Sequence, residues 1–163
     1  MFKVGIITAS DKGSRGERED KSGELIKEIM SANGYEVARW EILPDERRLI
    51  SEELINMSDN LNIDLILTTG GTGFSPRDWT PEATLDVIDR QAPGISEAMR
   101  YYSLQITPKA MLSRSVSGIR GETLIINLPG SPKAVKENLE FILPALKHGL
   151  EILKGIAGEC ARK

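Results

Sequence analysis

Residues 65–84, LILTTGGTGFSPRDWTPEAT, constrain the fold of this chain more than any other stretch. Ile63, Leu65, Ile66 and Leu67 make a short apolar run. A strand apolar on both faces has to be covered on both, as in the interior of a parallel sheet. Gly70, Gly71 and Gly73 follow at once. They let the backbone take positive φ and let another group approach with no Cβ in the way. Thr80-Pro81-Glu82 then reads as a helix opening, with Thr80 as N-cap and Pro81 as first helical residue. Exposed amides and a helix N-terminus at the C-terminal end of a strand form an anion site, so this segment is expected to bind a phosphate.

Around it the pattern alternates between strand and helix. Residues 3–8 read as a first strand. A helix opened by Asp20 or Ser22 runs to Met30 on Leu25, Ile26, Ile29 and Met30, and Asn33-Gly34 stops it. Residues 35–43 form a second strand ending at Pro44. The next helix, 45–59, is expected to turn Leu49, Ile50, Leu54, Ile55 and Met57 inward. Helices at 81–89 and 94–105 follow the glycine loop. Strands at 113–120 and Thr123–Leu128 pair as a hairpin about Arg120-Gly121. Pro129-Gly130 ends the last strand, and Ser131-Pro132 opens a closing helix that reaches about Leu153. The sum is an α/β fold, a mostly parallel sheet with helices on both faces.

Composition removes several functional classes. At 163 residues and 40% hydrophobic, the chain fits one domain spanning 1–163, burying roughly 70% of its unfolded surface. A net charge of −3 argues against nucleic acid as partner. One cysteine, Cys160, and one histidine, His148, poorly support a zinc site or a Ser-His-Asp triad. Cys160 reads as an inert tail residue and His148 as structural or exposed. The apolar runs fall short of the ~20 residues of a membrane span. MFKVGIITAS begins on a strand pattern without a signal-peptide plan, so a cytoplasmic protein away from the membrane is expected.

The glycine loop matches neither common phosphate motif. It lacks the lysine of G-x-x-x-x-G-K-[ST], and Pro76 stands where a dinucleotide fingerprint needs its third glycine. What distinguishes it is Arg77-Asp78 beside the amides. A carboxylate next to a bound phosphate repels it unless a cation lies between, and Mg²⁺ takes one or two carboxylates plus phosphate oxygens. Asp45, at the end of the second strand, either caps its own helix or shares that cation. The connection 9–20 is long for a strand-to-helix link and reads as a flap carrying Lys12, Arg15 and Arg18 to anionic groups. Residues 127–132, NLPGSP, offer a second anion site at a helix N-terminus with Lys133 in the first turn. Two anion sites imply two phosphate-bearing ligands or one long one. Trp79 lies close enough to wall the pocket, and Tyr101-Tyr102 belong to the core or a subunit contact.

Three separated motifs, ITASDKGSRGERED-x-SG, TTGGTG-x-x-x-RD-x-TPEAT and NLPGSP, resemble the molybdopterin adenylyltransferases of molybdenum-cofactor biosynthesis over essentially the whole chain. The resemblance implies a three-layer αβα sandwich with a mostly parallel, mixed central sheet, assembled as a homotrimer. It implies ATP and molybdopterin as substrates, Mg²⁺ as cofactor, adenylyl-molybdopterin and pyrophosphate as products, and hand-over to a molybdenum insertase. Carried over by motif, Asp45 and Asp78 match the family's essential aspartates. Thr69, Gly70, Gly71, Thr72 and Gly73 match its nucleotide-phosphate loop. Ser10 and Asp11 of the first motif, Ser113 on the pterin side, and Pro129, Gly130 and Ser131 complete the binding crevice. Trp79 stands where that motif usually has a smaller aliphatic residue. Because a phosphate nucleophile is ionised near neutral pH (second pKa roughly 6), no general base is needed. Asp45 and Asp78 are therefore read as metal or nucleotide positioners. The alternative is a non-catalytic molybdopterin carrier or scaffold of the same pathway.

Overall fold

The computed structural model describes residues 1–156, so Cys160 lies outside the described residues. The elements are β1 (Lys3–Ala9), α1 (Asp11–Ser14), α2 (Lys21–Ala32), β2 (Glu36–Leu43), α3 (Arg47–Ile55), β3 (Leu65–Thr69), α4 (Thr80–Val87), β4 (Arg90–Gln91), α5 (Pro93–Leu104), β5 (Ser117–Arg120), β6 (Thr123–Leu128) and α6 (Pro132–Leu153). They build one six-stranded sheet in the order β2-β1-β3-β6-β5-β4. β2, β1, β3 and β6 run parallel, while β5 and β4 return antiparallel on one edge. This is the mostly parallel α/β sheet expected from the alternation of elements and the mixed sandwich implied by the family resemblance, and β5–β6 is the expected hairpin.

Side-chain alternation along the central strands divides the core in two. Val4, Ile6, Leu65, Leu67, Leu124, Ile126 and Leu128 point to one face, against α2, α5 and α6. Ile7, Ile66 and Ile125 point to the other, against α3 and α4. β3 is buried along its whole length, as its unbroken apolar run requires. Asp20 caps α2 by accepting from the Gly23 amide at 2.9 Å, an interaction worth about 1 kcal/mol. Ser131 likewise accepts from the Ala134 amide, with Pro132 at the first position of α6.

Local departures from expectation have local causes. α3 stops at Ile55 and widens into a π-type turn over Asn56–Asn60. The widened turn sends Met57 into the core above Gly5, where no Cβ blocks it, and leaves Ile55 at the surface. Leu49 is only partly buried. Asp45 is not the cap of α3, whose N-cap position is Glu46 with no side-chain bond. α4 begins at Thr80 itself, so Thr80 is not its N-cap. β5 starts at Ser117 and is shorter than expected, because the preceding residues bond elsewhere: the Arg114 amide donates to the Thr72 carbonyl and the Val116 amide to the Asn127 side chain; residues Pro108–Leu112 before them form a 3₁₀ turn. β4 has only two exposed residues and carries no periodic signal.

Candidate active site

Winding reverses between β1 and β3, since β1 leads to β2 on one side and pairs with β3 on the other. In open α/β sheets the crevice beyond the C-terminal strand ends at such a point is where ligands bind. Here a cleft of about 800 Å³ opens there. The end of β1, the connection after β2, the glycine loop and the β6–α6 turn all line it, through Ser10, Asp45, Thr69, Gly70, Gly71, Asp78, Gly130 and Ser131. The N-terminal residues of α2 and α6 also face it, which adds the positive ends of two helices.

The glycine loop is shaped by its backbone. Gly70 and Gly71 have φ of +88° and +67°. A Cβ on Gly70 would run into the carbonyl oxygen of Ala9, and one on Gly71 into the Thr80 hydroxyl. Thr80, fully buried, does a different job from capping: its hydroxyl donates to the Gly70 carbonyl at 2.9 Å and its amide to the Gly71 carbonyl at 3.1 Å. Arg114 closes the far limb. Its guanidinium donates to the carbonyls of Gly73 and Asp78, each at 2.7 Å, and pairs with Glu82. Its amide donates to the Thr72 carbonyl at 2.9 Å. The Asp78 carboxylate accepts from the Ser75 amide at 2.9 Å.

Asp45 is partly buried, and burial pushes its carboxyl above the ordinary carboxylate range, with the nearby charges of Asp11 and Asp78 adding to the effect. Asp11 and Asp45 hold each other. The Asp11 amide donates to Asp45 Oδ2 at 2.9 Å, and the Asp45 amide donates to Asp11 Oδ1 at 3.0 Å. Arg77 grips Asp11 bidentately, Nε to Oδ2 at 2.7 Å and Nη2 to Oδ1 at 2.8 Å. That hydrogen-bonded pair, with the Asp45 amide, holds the Asp11 carboxyl below its usual range.

The charged residues lining the cleft are two cations, Arg18 and Lys21, and four carboxylates, Glu19, Asp20, Asp45 and Asp78. Asp20 is already engaged by the Thr8 hydroxyl, the Trp40 indole and its own helix. A polyphosphate placed in this cleft meets Asp45 and Asp78, both of which approach the glycine loop: a Cβ on Gly71 would lie 3.2 Å from Asp45 Oδ1, and one on Gly73 3.0 Å from Asp78 Oδ2. Two hard oxygen donors beside a phosphate loop fit Mg²⁺, which draws its remaining ligands from phosphate and water. Among the described residues no three His, Cys, Asp or Glu side chains form a ready metal cage.

A second cavity of about 280 Å³ lies beyond the glycine loop. Thr72, Gly73, Ser113 and Pro129 line it, together with Met99, Leu112, Ser96, Arg100 and Asn138. The wall between the two is rigid. Thr69 Oγ1 donates to the Pro129 carbonyl at 2.7 Å and Ser22 Oγ to the Gly130 carbonyl at 2.8 Å. Beneath them Asn127, fully buried, donates to the hydroxyls of Thr68 and Thr84 and accepts from the Val116 amide. A buried polar network with every member satisfied fixes one arrangement of the strand ends.

Of the residues singled out from sequence, the structure thus divides one set into two neighbouring cavities. Asp11 lines neither, since Arg77 and Asp45 occupy it. Of the flap cations, Arg18 reaches the cleft, while Arg15 pairs with Glu17. Trp79 packs outward beneath Arg47, its ring centre 5.8 Å from the guanidinium carbon. His148 is exposed on α6. Ser22 and Asn127 lie within the first and last motifs, but their roles, like that of Arg114, depend on partners that only folding assembles.

A family model described as "Probable molybdopterin binding domain" matches residues 5–148. The molybdopterin adenylyltransferase of Helicobacter pylori strain J99 is 46% identical over 155 residues, 93% of this chain and 88% of the relative. That of Escherichia coli K12 is 41% identical over 158 residues, 95% of this chain and 80% of the relative. Among solved structures, the molybdopterin biosynthesis enzyme MoaB of Thermus thermophilus superposes with a TM-score of 0.90 at 52% identity, covering 95% of this chain and 98% of that one.

Proposed function

The chain belongs to the molybdopterin-binding family of molybdenum-cofactor biosynthesis, and on that premise we propose that it adenylylates molybdopterin with Mg-ATP, giving adenylyl-molybdopterin and pyrophosphate. The reading rests on one observation above all: two carboxylates, Asp45 and Asp78, approach the glycine loop inside a single cleft. A helix cap would explain either alone, yet neither residue caps a helix. We assign the larger cleft to the nucleotide and the smaller cavity, with Ser113, to the pterin; the glycine loop and the β6–α6 turn stand between them.

The chemistry follows from positioning. A terminal phosphate oxygen of molybdopterin attacks the α-phosphorus of ATP; the new O–P bond forms as the bond to the bridging oxygen breaks, and pyrophosphate leaves with the electron pair. The nucleophile is already ionised near neutral pH, so the chain's work is to hold two anions in line and offset their charge. Gly70 and Gly71 bring backbone close to the phosphates. The N-terminal ends of α2 and α6 favour negative charge nearby, and Arg18 and Lys21 supply cations at the rim. When bound, Mg²⁺ would offset charge on the nucleotide phosphates, with Asp45 and Asp78 as its protein ligands.

The remaining parts of the reading follow. The chain acts as one molybdopterin-binding domain across 1–163, in the cytoplasm where ATP is supplied, as a homotrimer that passes its product to a molybdenum insertase. The test is pyrophosphate release by the purified protein. It is expected with Mg-ATP and molybdopterin together and with neither alone. Pterin binding without ATP-dependent turnover would make the chain a carrier instead, and failure to bind pterin would point to another nucleotide enzyme.

A further inference from the structure

The bidentate pair between Arg77 and Asp11 lies at the surface, with side chains 55% and 27% exposed, and its two parallel bonds fix geometry as well as charge. The pair closes a junction of three strand-to-helix connections. Arg77 lies on the loop after β3, Asp11 opens the short helix α1 after β1, and Asp45 lies on the loop after β2. These strands are neighbours in the sheet. Every oxygen of the Asp11 carboxylate is taken: Oδ1 accepts from Arg77 and from the Asp45 amide, and Oδ2 accepts from Arg77. Asp11 is thus spent on holding, with Arg77 outside the cleft lining. Asp45 is held by Oδ2 alone, through the Asp11 amide. Its Oδ1 is the oxygen nearest the glycine loop.

We propose that Arg77 and Asp11 are positioning residues that act through Asp45. Arg77 fixes the Asp11 backbone, the Asp11 amide fixes one oxygen of Asp45, and the other oxygen is thereby aimed at the phosphate path. The same clamp holds the start of the flap over the cleft. Neither side chain contacts substrate. This inference rests on the proposed adenylyl transfer for its kinetic consequence, but the clamp itself is a structural property.

The experiment therefore has two readouts on Arg77→Ala, Arg77→Lys, Asp11→Ala and the double variant Arg77→Ala/Asp11→Ala. The first is hydrogen exchange of the Asp11 amide in the ligand-free protein. It should speed up about tenfold in Arg77→Ala, with the melting temperature within about 2 °C of wild type. The second is steady-state turnover. kcat should fall by about tenfold or more while KM for ATP stays within about twofold, as expected when a reacting group is misplaced without losing a ligand contact. The double variant should be no worse than the poorer single one, because both break one unit. Arg77→Lys should recover only part of kcat, since an ammonium cannot reproduce the two parallel bonds. Unchanged exchange overturns the clamp, and faster exchange with unchanged kcat overturns the positioning role. A raised KM at constant kcat would make Arg77 a direct nucleotide ligand and also overturn it. If wild type itself shows no turnover, the proposed reaction fails, while the exchange result still upholds or overturns the clamp.

Discussion

Asp45 is where stability and function pull in opposite directions. Burial raises its pKa above that of the unfolded chain, so ionising it costs the folded state more than the unfolded one. The penalty is present in full above the folded pKa and disappears as pH falls through the raised value toward the unfolded one. Asp45→Asn keeps an oxygen to accept from the Asp11 amide but carries no charge. In metal-free buffer the variant should melt higher than wild type at neutral pH, and the gap should close on acidification as the wild-type carboxyl is neutralised. A variant that melts lower at pH 7 would show that the charge is held at no cost. Asp45 and Asp78 stood out in the sequence because a carboxylate beside a phosphate loop calls for a cation unless it caps a helix, and the structure brings both to one cleft with neither as a cap. Arg114 did not: it clamps Gly73 and Asp78 from the segment before β5, distant in sequence, and no spacing rule anticipates a pairing made by tertiary folding. Thr80 misled for the opposite reason, since a Thr-Pro-Glu string satisfies the capping rule while its hydroxyl serves the loop.

At the scale of elements, the glycine loop depends on backbone that only glycine supplies cheaply. Gly70→Ala meets both a strained φ and the Ala9 carbonyl. It should destabilise by about 2 kcal/mol or more and weaken nucleotide binding. Gly16 provides the control, with φ of +73° but open space around its Cβ position, and Gly16→Ala should cost only about 1 kcal/mol. Denaturant unfolding and nucleotide calorimetry separate the two, and equal losses would mean that the close approach at Gly70 is unimportant. The loop was readable because apolar run, glycines and helix opening follow one another in sequence. α2 and α6 were readable through their caps. The end of α3 was not, because 3.6-residue periodicity cannot signal a widened turn, and β4 was too short and too polar to show any period.

For the whole molecule, the α/β class followed from the alternation of strand and helix, and the two-sided core from the apolar runs of β1, β3 and β6. Assembly did not follow from any pattern. Tyr101, Leu104, Met111, Leu112 and Phe141 are exposed on α5, the 3₁₀ turn after it and α6, with Ile106 exposed in the link between the first two; the turn and α6 both pack on α5. The homotrimer proposed above would cover this apolar surface. Sedimentation should give a trimer for wild type and smaller species for Met111→Glu; a monomeric wild type would refute it. The central claim is that the cleft at the β1–β3 switch point transfers an adenylyl group and that Asp78 is part of the machinery. Asp78→Asn tests it most directly, because the amide oxygen can still accept from Ser75 and preserve the loop. Pyrophosphate release from Mg-ATP and molybdopterin should be abolished while the variant melts with wild type; full turnover by a folded Asp78→Asn protein would contradict the account.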